Sequence, residues 1–329
     1  MAFKKHTYSK SFKLSELGEF GLIKSIQKQC RSNRKDVATG IGDDAAVIKS
    51  QKGNLLVTSD MMIEGIHFDL SLTTFYQLGY KFLAVNISDI YAMGGKAEHF
   101  IVSLGVPSSL RADWINELYS GMLDLAETHN IEIIGGDTCN SKSGLVLSGT
   151  LMGRAKRAIT RSGARAGDAV YVTNTLGDSA MGLNLLNKNN RKVRKFFSNN
   201  ARLKLIKSHL MPGISPLKNV QRVSSMIDIS DGLLIDLSHI CDESKVGAEI
   251  FREDIPLSDE LIKLSNKFGE DPLSYALKGG EDYCLLFTAK PDRRINAYRI
   301  GTIINKGLYI VDEKGKKTKF KPEGYEHFK

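Results

Sequence analysis

Residues His99–Thr138 read HFIVSLGVPSSLRADWINELYSGMLDLAETHNIEIIGGDT. His99–Val106 is an apolar run stopped by Pro107, which is the pattern of a strand. Arg111–His129 has the spacing of a helix, and Ile131–Ile134 is a second strand that runs into two glycines and an aspartate. Outward from this stretch the rhythm changes. Leu145–Met152 follows as another strand with no helix before it. Upstream, Phe75–Met93 is a long helical pattern stopped by Gly94-Gly95, and Leu14–Cys30 reads as an amphipathic helix capped by Ser15. Ala45–Ile48 and Leu55–Thr58 are short apolar runs separated by Gln51-Lys52-Gly53-Asn54, which reads as a hairpin.

Gly153–Gly167 is rich in Arg, Gly and Ala, has little apolar periodicity, and is the expected domain junction. The second half resumes with the strand Ala169–Thr173 and a helix from Ser179. A polar helical pattern covers Arg191–Leu210, and the strand Ser224–Ile229 runs into a helix over Gly232–Cys241. Tyr283–Thr288 and Ile300–Ile304 are later strands, and Lys306–Lys321 reads as a strand and turn. Without a regular β-α-β rhythm, this order predicts a mixed α/β (α+β) chain of two domains, residues 1–153 and 154–329, rather than one doubly wound sheet.

Composition agrees with that size. The chain has 329 residues, 42% hydrophobic and 25% charged, which suits folded domains rather than a disordered chain. No apolar run is long enough to span a membrane, and no apolar stretch follows Met1–His6 as a signal peptide would require, so the cytoplasm is the expected location. Cys30, Cys139, Cys241 and Cys284 lie far apart, without zinc-ligand spacing, and read as reduced thiols. The formal charge of +9 invites a nucleic-acid reading. The basic residues are scattered, however, and lack the interleaved aromatics of a base-stacking surface, so no nucleic-acid partner is expected. A milder role for the charge is attraction of anionic substrates.

Six stretches carry carboxylates in a recurring context. Gly40-Ile41-Gly42-Asp43-Asp44-Ala45-Ala46 fits the letters of a dinucleotide fingerprint, but a helix should follow, and two aspartates would repel a pyrophosphate. The pair makes sense with divalent cations between it and phosphates, although a polar turn would look the same. Thr58-Ser59-Asp60 ends an apolar strand with hard oxygen donors, as a capping turn also would. Leu78, Phe82, Val85 and Asp89 are spaced four, three and four apart, so Asp89 continues an apolar stripe. A carboxylate there must be paired, neutralised or metal-bound, and Asn86 and Ser88 add oxygens nearby. Ile134-Gly135-Gly136-Asp137-Thr138, Ile227-Asp228-Ile229-Ser230-Asp231-Gly232 and Lys278-Gly279-Gly280-Glu281-Asp282-Tyr283 complete the set. Five of the six end a strand or enter a turn, and such ends commonly converge on one sheet edge. Two bare carboxylates ~4 Å apart repel by roughly 4 kcal/mol at an effective dielectric near 20, so converging aspartates require cations. P-loop, protein-kinase, serine-hydrolase and zinc-protease signatures are absent.

Taken in order, these stretches resemble the thiamine-monophosphate kinase family of the aminoimidazole ribonucleotide synthetase-like superfamily. Further matching segments are Glu64-Gly65-Ile66-His67-Phe68, Thr160-Arg161-Ser162-Gly163-Ala164, Gly177-Asp178-Ser179-Ala180 and Gly324-Tyr325-Glu326-His327-Phe328. The resemblance implies a homodimer of two-domain subunits with ATP bound mainly by the N-terminal domain. It also implies transfer of the γ-phosphoryl of ATP to thiamine monophosphate, giving thiamine diphosphate and ADP. By the same resemblance, Asp43, Thr58, Ser59, Asp60, Asp89, Asp137, Asp228 and Asp231 hold several Mg2+ ions. Tyr119, Gly136, Asp137, Arg161 and Ser230 contact ATP, and His67, Glu281 and Tyr325 contact the thiamine phosphate. A rival of another class, a non-catalytic nucleic-acid binder, predicts salt-sensitive binding without ATP turnover and leaves the repeated aspartates unexplained.

Overall fold

The computed structural model describes residues 25, 28–30, 37–39, 47–48, 54–189, 192–194, 200–291 and 295–325. Two compact units emerge. The first takes in the described residues before 50 with Ser59–Leu83 and Glu98–Leu151, and the second takes in residues to Thr58 from 54, Ala84–Ala97 and those from Met152 onward.

The first unit is built on a four-stranded sheet in the order β3-β6-β4-β5, where β3 is Asn54–Ile63, β4 Lys96–Val106, β5 Glu132–Asn140 and β6 Val146–Ala155. Strands β4 and β5 run parallel and are joined by helix α2 (Ala112–His129), as parallel neighbours require. Burial alternates along β6, so one face of that strand enters the core and the other does not. Phe82, from helix α1 (Phe75–Ala92), meets Phe100 of β4 at a ring separation of 5.5 Å, both fully buried. The two helices approach backbone to backbone. A Cβ on Gly79 would lie 1.8 Å from the Leu118 carbonyl oxygen, and one on Gly121 would lie 1.9 Å from that of Tyr76. Only glycine permits this contact, which seats Leu78, Leu118 and Met122 in the core.

The second unit holds a seven-stranded sheet in the order β13-β12-β9-β11-β7-β10-β8. Its strands are β7 (Ala169–Val172), β8 (Val223–Asp228), β9 (Gly247–Phe251), β10 (Leu285–Ala289), β11 (Tyr298–Ile304), β12 (Leu308–Val311) and β13 (Lys317–Lys319). Pairing is antiparallel except between β9 and β12, which confirms the mixed architecture. Every residue of β7 and β10 is buried, and apart from Thr288 these strands read as apolar runs. Tyr171 and Phe287, directly opposite in register, stack at 5.2 Å. The unit's helices are α3 (Asp178–Asn189), α4 (Ala201–Leu210), α5 (Leu233–Ser244), α6 (Asp259–Phe268) and α7 (Pro272–Lys278). Their ends follow local chemistry. Asn200, Ser258 and Asp271 accept backbone N–H groups as N-caps, and Gly269 closes α6 in the left-handed conformation.

Three sequence expectations change. Val47–Ile48 (β2) does not form a hairpin with Leu55–Thr58. It pairs with Val37–Thr39 (β1), while Leu55–Thr58 belongs to β3 of another sheet. The helix expected from Arg191 begins at Ala201, because Asn200 caps it there and residues 192–194 are not helical. The second strand does not stop at Ile134. It continues through Gly135-Gly136-Asp137-Thr138, since the glycines lie inside the ladder opposite Ile101 and Val102. The expected helix over Leu14–Cys30 and the Gly40–Ala46 stretch, with Asp43, lie largely or wholly outside the described residues. Cys30, Cys241 and Cys284 are buried free thiols, and Cys139 is exposed and free. Among the described residues no helix is long and apolar enough to cross a membrane.

Candidate phosphoryl-transfer site

In the second unit, the carboxyl end of β8 delivers Asp228 to a buried position. The last turns of α1 bring Ser88 and Asp89 to it. The Ser88 hydroxyl donates to Asp228 Oδ2 at 2.7 Å across 140 residues of chain. Asp89 accepts the hydroxyl of Thr58 from β3. Burial pushes the Asp228 carboxyl up to about 7, the nearby Asp89 charge adds to the rise, and the Ser88 hydrogen bond and Arg161 oppose it. Burial likewise raises Asp89, against the Thr58 hydroxyl and Arg161. The two acids therefore share one poorly solvated space with an Arg beside them.

Arg161 is held by its backbone. The neighbouring Thr160 carbonyl accepts the Met226 N–H at 3.1 Å, and the Arg161 carbonyl accepts the Ser244 hydroxyl at 3.2 Å. Beyond β8 the chain turns through Ser230-Asp231-Gly232 into α5. Ser230 O accepts the Glu281 N–H at 2.7 Å, and Asp231 O accepts the Tyr325 N–H at 3.1 Å. The turn itself is tied by Asp236, whose Oδ2 accepts the N–H groups of Asp231 and Gly232. Burial first, then the charges of Asp228 and Asp231, push Asp236 up to about 8.

Thus the structure brings Thr58, Asp89, Arg161 and Asp228 together, and links Ser230, Asp231, Glu281 and Tyr325 through the backbone. Apart from Asp43, which lies outside the described residues, the remaining expected residues lie in the first unit. Ser59 donates its hydroxyl to the Gly149 carbonyl at 2.9 Å, and Asp60 follows it half-buried on β3. His67 Nδ1 accepts the Ile63 N–H at 3.1 Å, which fixes the tautomer with its proton on Nε2. Asp137 is exposed and accepts the Thr138 N–H, and a Cβ on Gly136 would lie 1.9 Å from the Val102 carbonyl oxygen. Tyr119 is a core residue, 3% exposed, with its hydroxyl pushed well above the ordinary range by burial. That leaves it little surface to offer a nucleotide.

Sequence reasoning missed Asp236, His209 and the role of Asp282. Asp236 had a readable signal. It stands three residues after Leu233 and four before Ile240 on the buried face of α5, the same stripe logic that exposes Asp89. Asp282 accepts the N–H groups of Gly177 (2.7 Å) and Ser179 (3.2 Å), so it joins two of the quoted motifs.

The donor set is oxygen only, which suits a hard cation such as Mg2+. Among the described residues no three His, Cys, Asp or Glu side chains form a ready-made metal cage. Mg2+ rarely uses such a cage, because it keeps waters and takes substrate phosphate oxygens beside one or two carboxylates. The mutual repulsion of Asp89 and Asp228 is what a cation would relieve, so the residues fit.

The chain is similar to known proteins over most of its length. Residues 42–155 match the AIR synthase related protein N-terminal domain, and residues 165–313 match the corresponding C-terminal domain. The thiamine-monophosphate kinase of Aquifex aeolicus is 38% identical over 323 residues, covering 96% of this chain and all of the relative. A structure of AaThiL complexed with AMPPCP and TMP superposes with a TM-score of 0.76 at 36% identity, covering 96% of this chain and 99% of the other. The thiamine-monophosphate kinase of Stenotrophomonas maltophilia superposes at 0.77 with 31% identity, covering 95% and 100%. On these matches and on the ordered motifs that carry them, the chain belongs to the thiamine-monophosphate kinase family of AIR synthase related proteins.

Proposed function

We propose that the chain transfers the γ-phosphoryl group of ATP to thiamine monophosphate, giving thiamine diphosphate and ADP. The observation that carries this reading is the Asp89–Asp228 pair, two acids held in one desolvated space with Arg161 beside them. An oxygen of the acceptor phosphate attacks the γ-phosphorus in line, the bond to the β–γ bridging oxygen breaks, and ADP leaves with that electron pair. The acceptor oxygen is already anionic near neutral pH, so no side chain has to remove a proton from it. This accounts for a site rich in aspartate without a dedicated base.

The chain's own groups orient and balance charge. Arg161 presents a cation to the nucleotide, and Gly136, Asp137 and Ser230 complete the proposed ATP contacts. His67, Glu281 and Tyr325 are the proposed contacts of the thiamine phosphate. Asp43, Thr58, Ser59, Asp60, Asp89, Asp137, Asp228 and Asp231 would hold several Mg2+ ions, which when bound neutralise the repulsion between triphosphate and monophosphate. Residues 1–153 form the nucleotide-binding domain in this reading and 154–329 the second domain, in a cytoplasmic enzyme.

ADP release measured with thiamine monophosphate, with thiamine and with no acceptor tests the assignment. Release is expected with thiamine monophosphate alone. Turnover with free thiamine only would place the chain in another kinase class, and a covalent phosphoprotein trapped after ATP alone would exclude direct transfer.

The proposal includes a homodimer. Among the described residues strand β3 lies at a sheet edge, and it carries Leu55, Val57 and Met61 at 56%, 60% and 53% exposure, an apolar row that a second copy would cover. Light scattering on the eluting protein is expected to give twice the chain mass. Charged residues at Val57 and Met61 are expected to shift it to the monomer, and a wild-type monomer at micromolar concentration would refute the dimer.

A further inference from the structure

We infer that His209, which no motif marks, is a positioning residue for the carboxylate of Glu281 and thereby sets the affinity for the phosphorylated acceptor. The inference rests on the reading of Glu281 as an acceptor contact. His209 stands in the last turn of α4 and is buried. Its Nδ1 lies 3.2 Å from Glu281 Oε2 and 3.1 Å from the hydroxyl of Ser179, itself 1% exposed. An ionised carboxylate can only accept, so Nδ1 carries the proton toward Glu281, and Ser179 Oγ is its second neighbour.

Both partners are held from behind. Glu281 has φ of +64° and Tyr283 has φ of +47°, left-handed conformations that side-chain-bearing residues seldom adopt. The turn persists because the N–H of Glu281 is tied to Ser230 O, and that of Tyr283 to Ile229 O at 2.8 Å. Strain of this kind gathers where a side chain must be aimed. On the other side, α4 presses against α3 so closely that a Cβ on Gly182 would lie 2.1 Å from the Leu205 carbonyl oxygen and 3.1 Å from the Cβ of His209. The imidazole therefore has one place to be. The Glu281 side chain remains 30% exposed, so the carboxylate that His209 steadies still has an edge for a ligand. A fixed carboxylate suits the cationic or N–H-donating heteroaromatic part of the acceptor rather than the triphosphate of ATP, which it would repel.

The test is steady-state kinetics of full-length His209→Leu, His209→Asn, Glu281→Gln and the His209→Leu/Glu281→Gln double variant, with melting temperatures. His209→Leu is expected to raise KM for thiamine monophosphate at least tenfold, with KM for ATP changed less than twofold. His209→Asn, which keeps an N–H donor near the Nδ1 position, is expected to recover most of the loss. The double variant is expected to be no worse than Glu281→Gln alone, because the histidine acts through the glutamate. If the leucine variant does not fold, methionine takes its place with the same expectations. An unchanged KM in the folded variant, or additive losses in the double variant, would overturn the role of His209. Glu281→Gln with normal KM would instead overturn the substrate role of Glu281. Absence of thiamine-monophosphate-dependent ADP release in the wild type would overturn the activity itself.

Discussion

Asp89→Asn is expected to cut turnover at least a hundredfold while leaving the fold intact. Asparagine keeps the size of the side chain and an oxygen to accept the Thr58 hydroxyl, so the local packing survives. What disappears is the negative charge that faces Arg161 and Asp228. A hundredfold loss corresponds to about 2.7 kcal/mol of transition-state stabilisation, a modest demand on a charge that organises cations and phosphates. The fold should tolerate the change well, because the substitution also removes the like-charge repulsion that pushes Asp228 up. Asp60→Asn is expected to behave alike. The measurement is kcat with thiamine monophosphate at saturating Mg2+ and ATP, beside circular dichroism and melting temperature. Near-normal turnover in a folded Asp89→Asn variant would remove Asp89 from the working site.

The sequence exposes such a residue only where a periodic rule makes a polar group conspicuous. Asp89 is conspicuous because Leu78, Phe82 and Val85 set a stripe and a carboxylate interrupts it, and the helix Phe75–Ala92 is where that stripe predicts. Asp236 obeys the same rule on α5, three residues after Leu233 and four before Ile240. His209 also continues a buried stripe, standing four residues after Leu205 and three after Ile206 on α4, but its meaning comes from Ser179 and Glu281, which only the folded chain brings near. Strand ends misled for a related reason. Gly135-Gly136 reads as punctuation, yet at Gly136 the missing Cβ is what lets β5 lie against the Val102 carbonyl and carry the ladder on to Asp137 and Thr138. A local rule about glycine was overridden by a tertiary contact. The β2 hairpin failed similarly, since an apolar run of a few residues does not state which partner it prefers, and Val47–Ile48 takes Val37–Thr39 rather than Leu55–Thr58.

Asp282→Asn is expected to abolish one component of the protein's pH-dependent stability. Asp282 receives the N–H groups of Gly177 and Ser179 at the start of α3, which favours its charged form. Desolvation outweighs this and, with the charges of Asp178 and Glu281, pushes the carboxyl from 3.8 up to about 7. A carboxyl raised on folding holds its proton more tightly in the native state. Its contribution is fully present below pH 3.8, declines as pH rises, and is lost once pH passes about 7. The rise corresponds to at most about 4 kcal/mol, and partial access to water reduces that to about 2 kcal/mol. Asparagine has no proton to lose at these pH values. The wild type and variant should therefore have similar stability near pH 4, and the wild type should fall behind by about 2 kcal/mol near pH 8. Thermal melts of both proteins across pH 4–8 check this, with a few degrees of separation expected at the upper end. A wild type that gains on the variant as pH rises would mean that the two N–H bonds, rather than burial, govern Asp282. That result would still leave the carboxylate as the clamp that holds Ser179 toward His209.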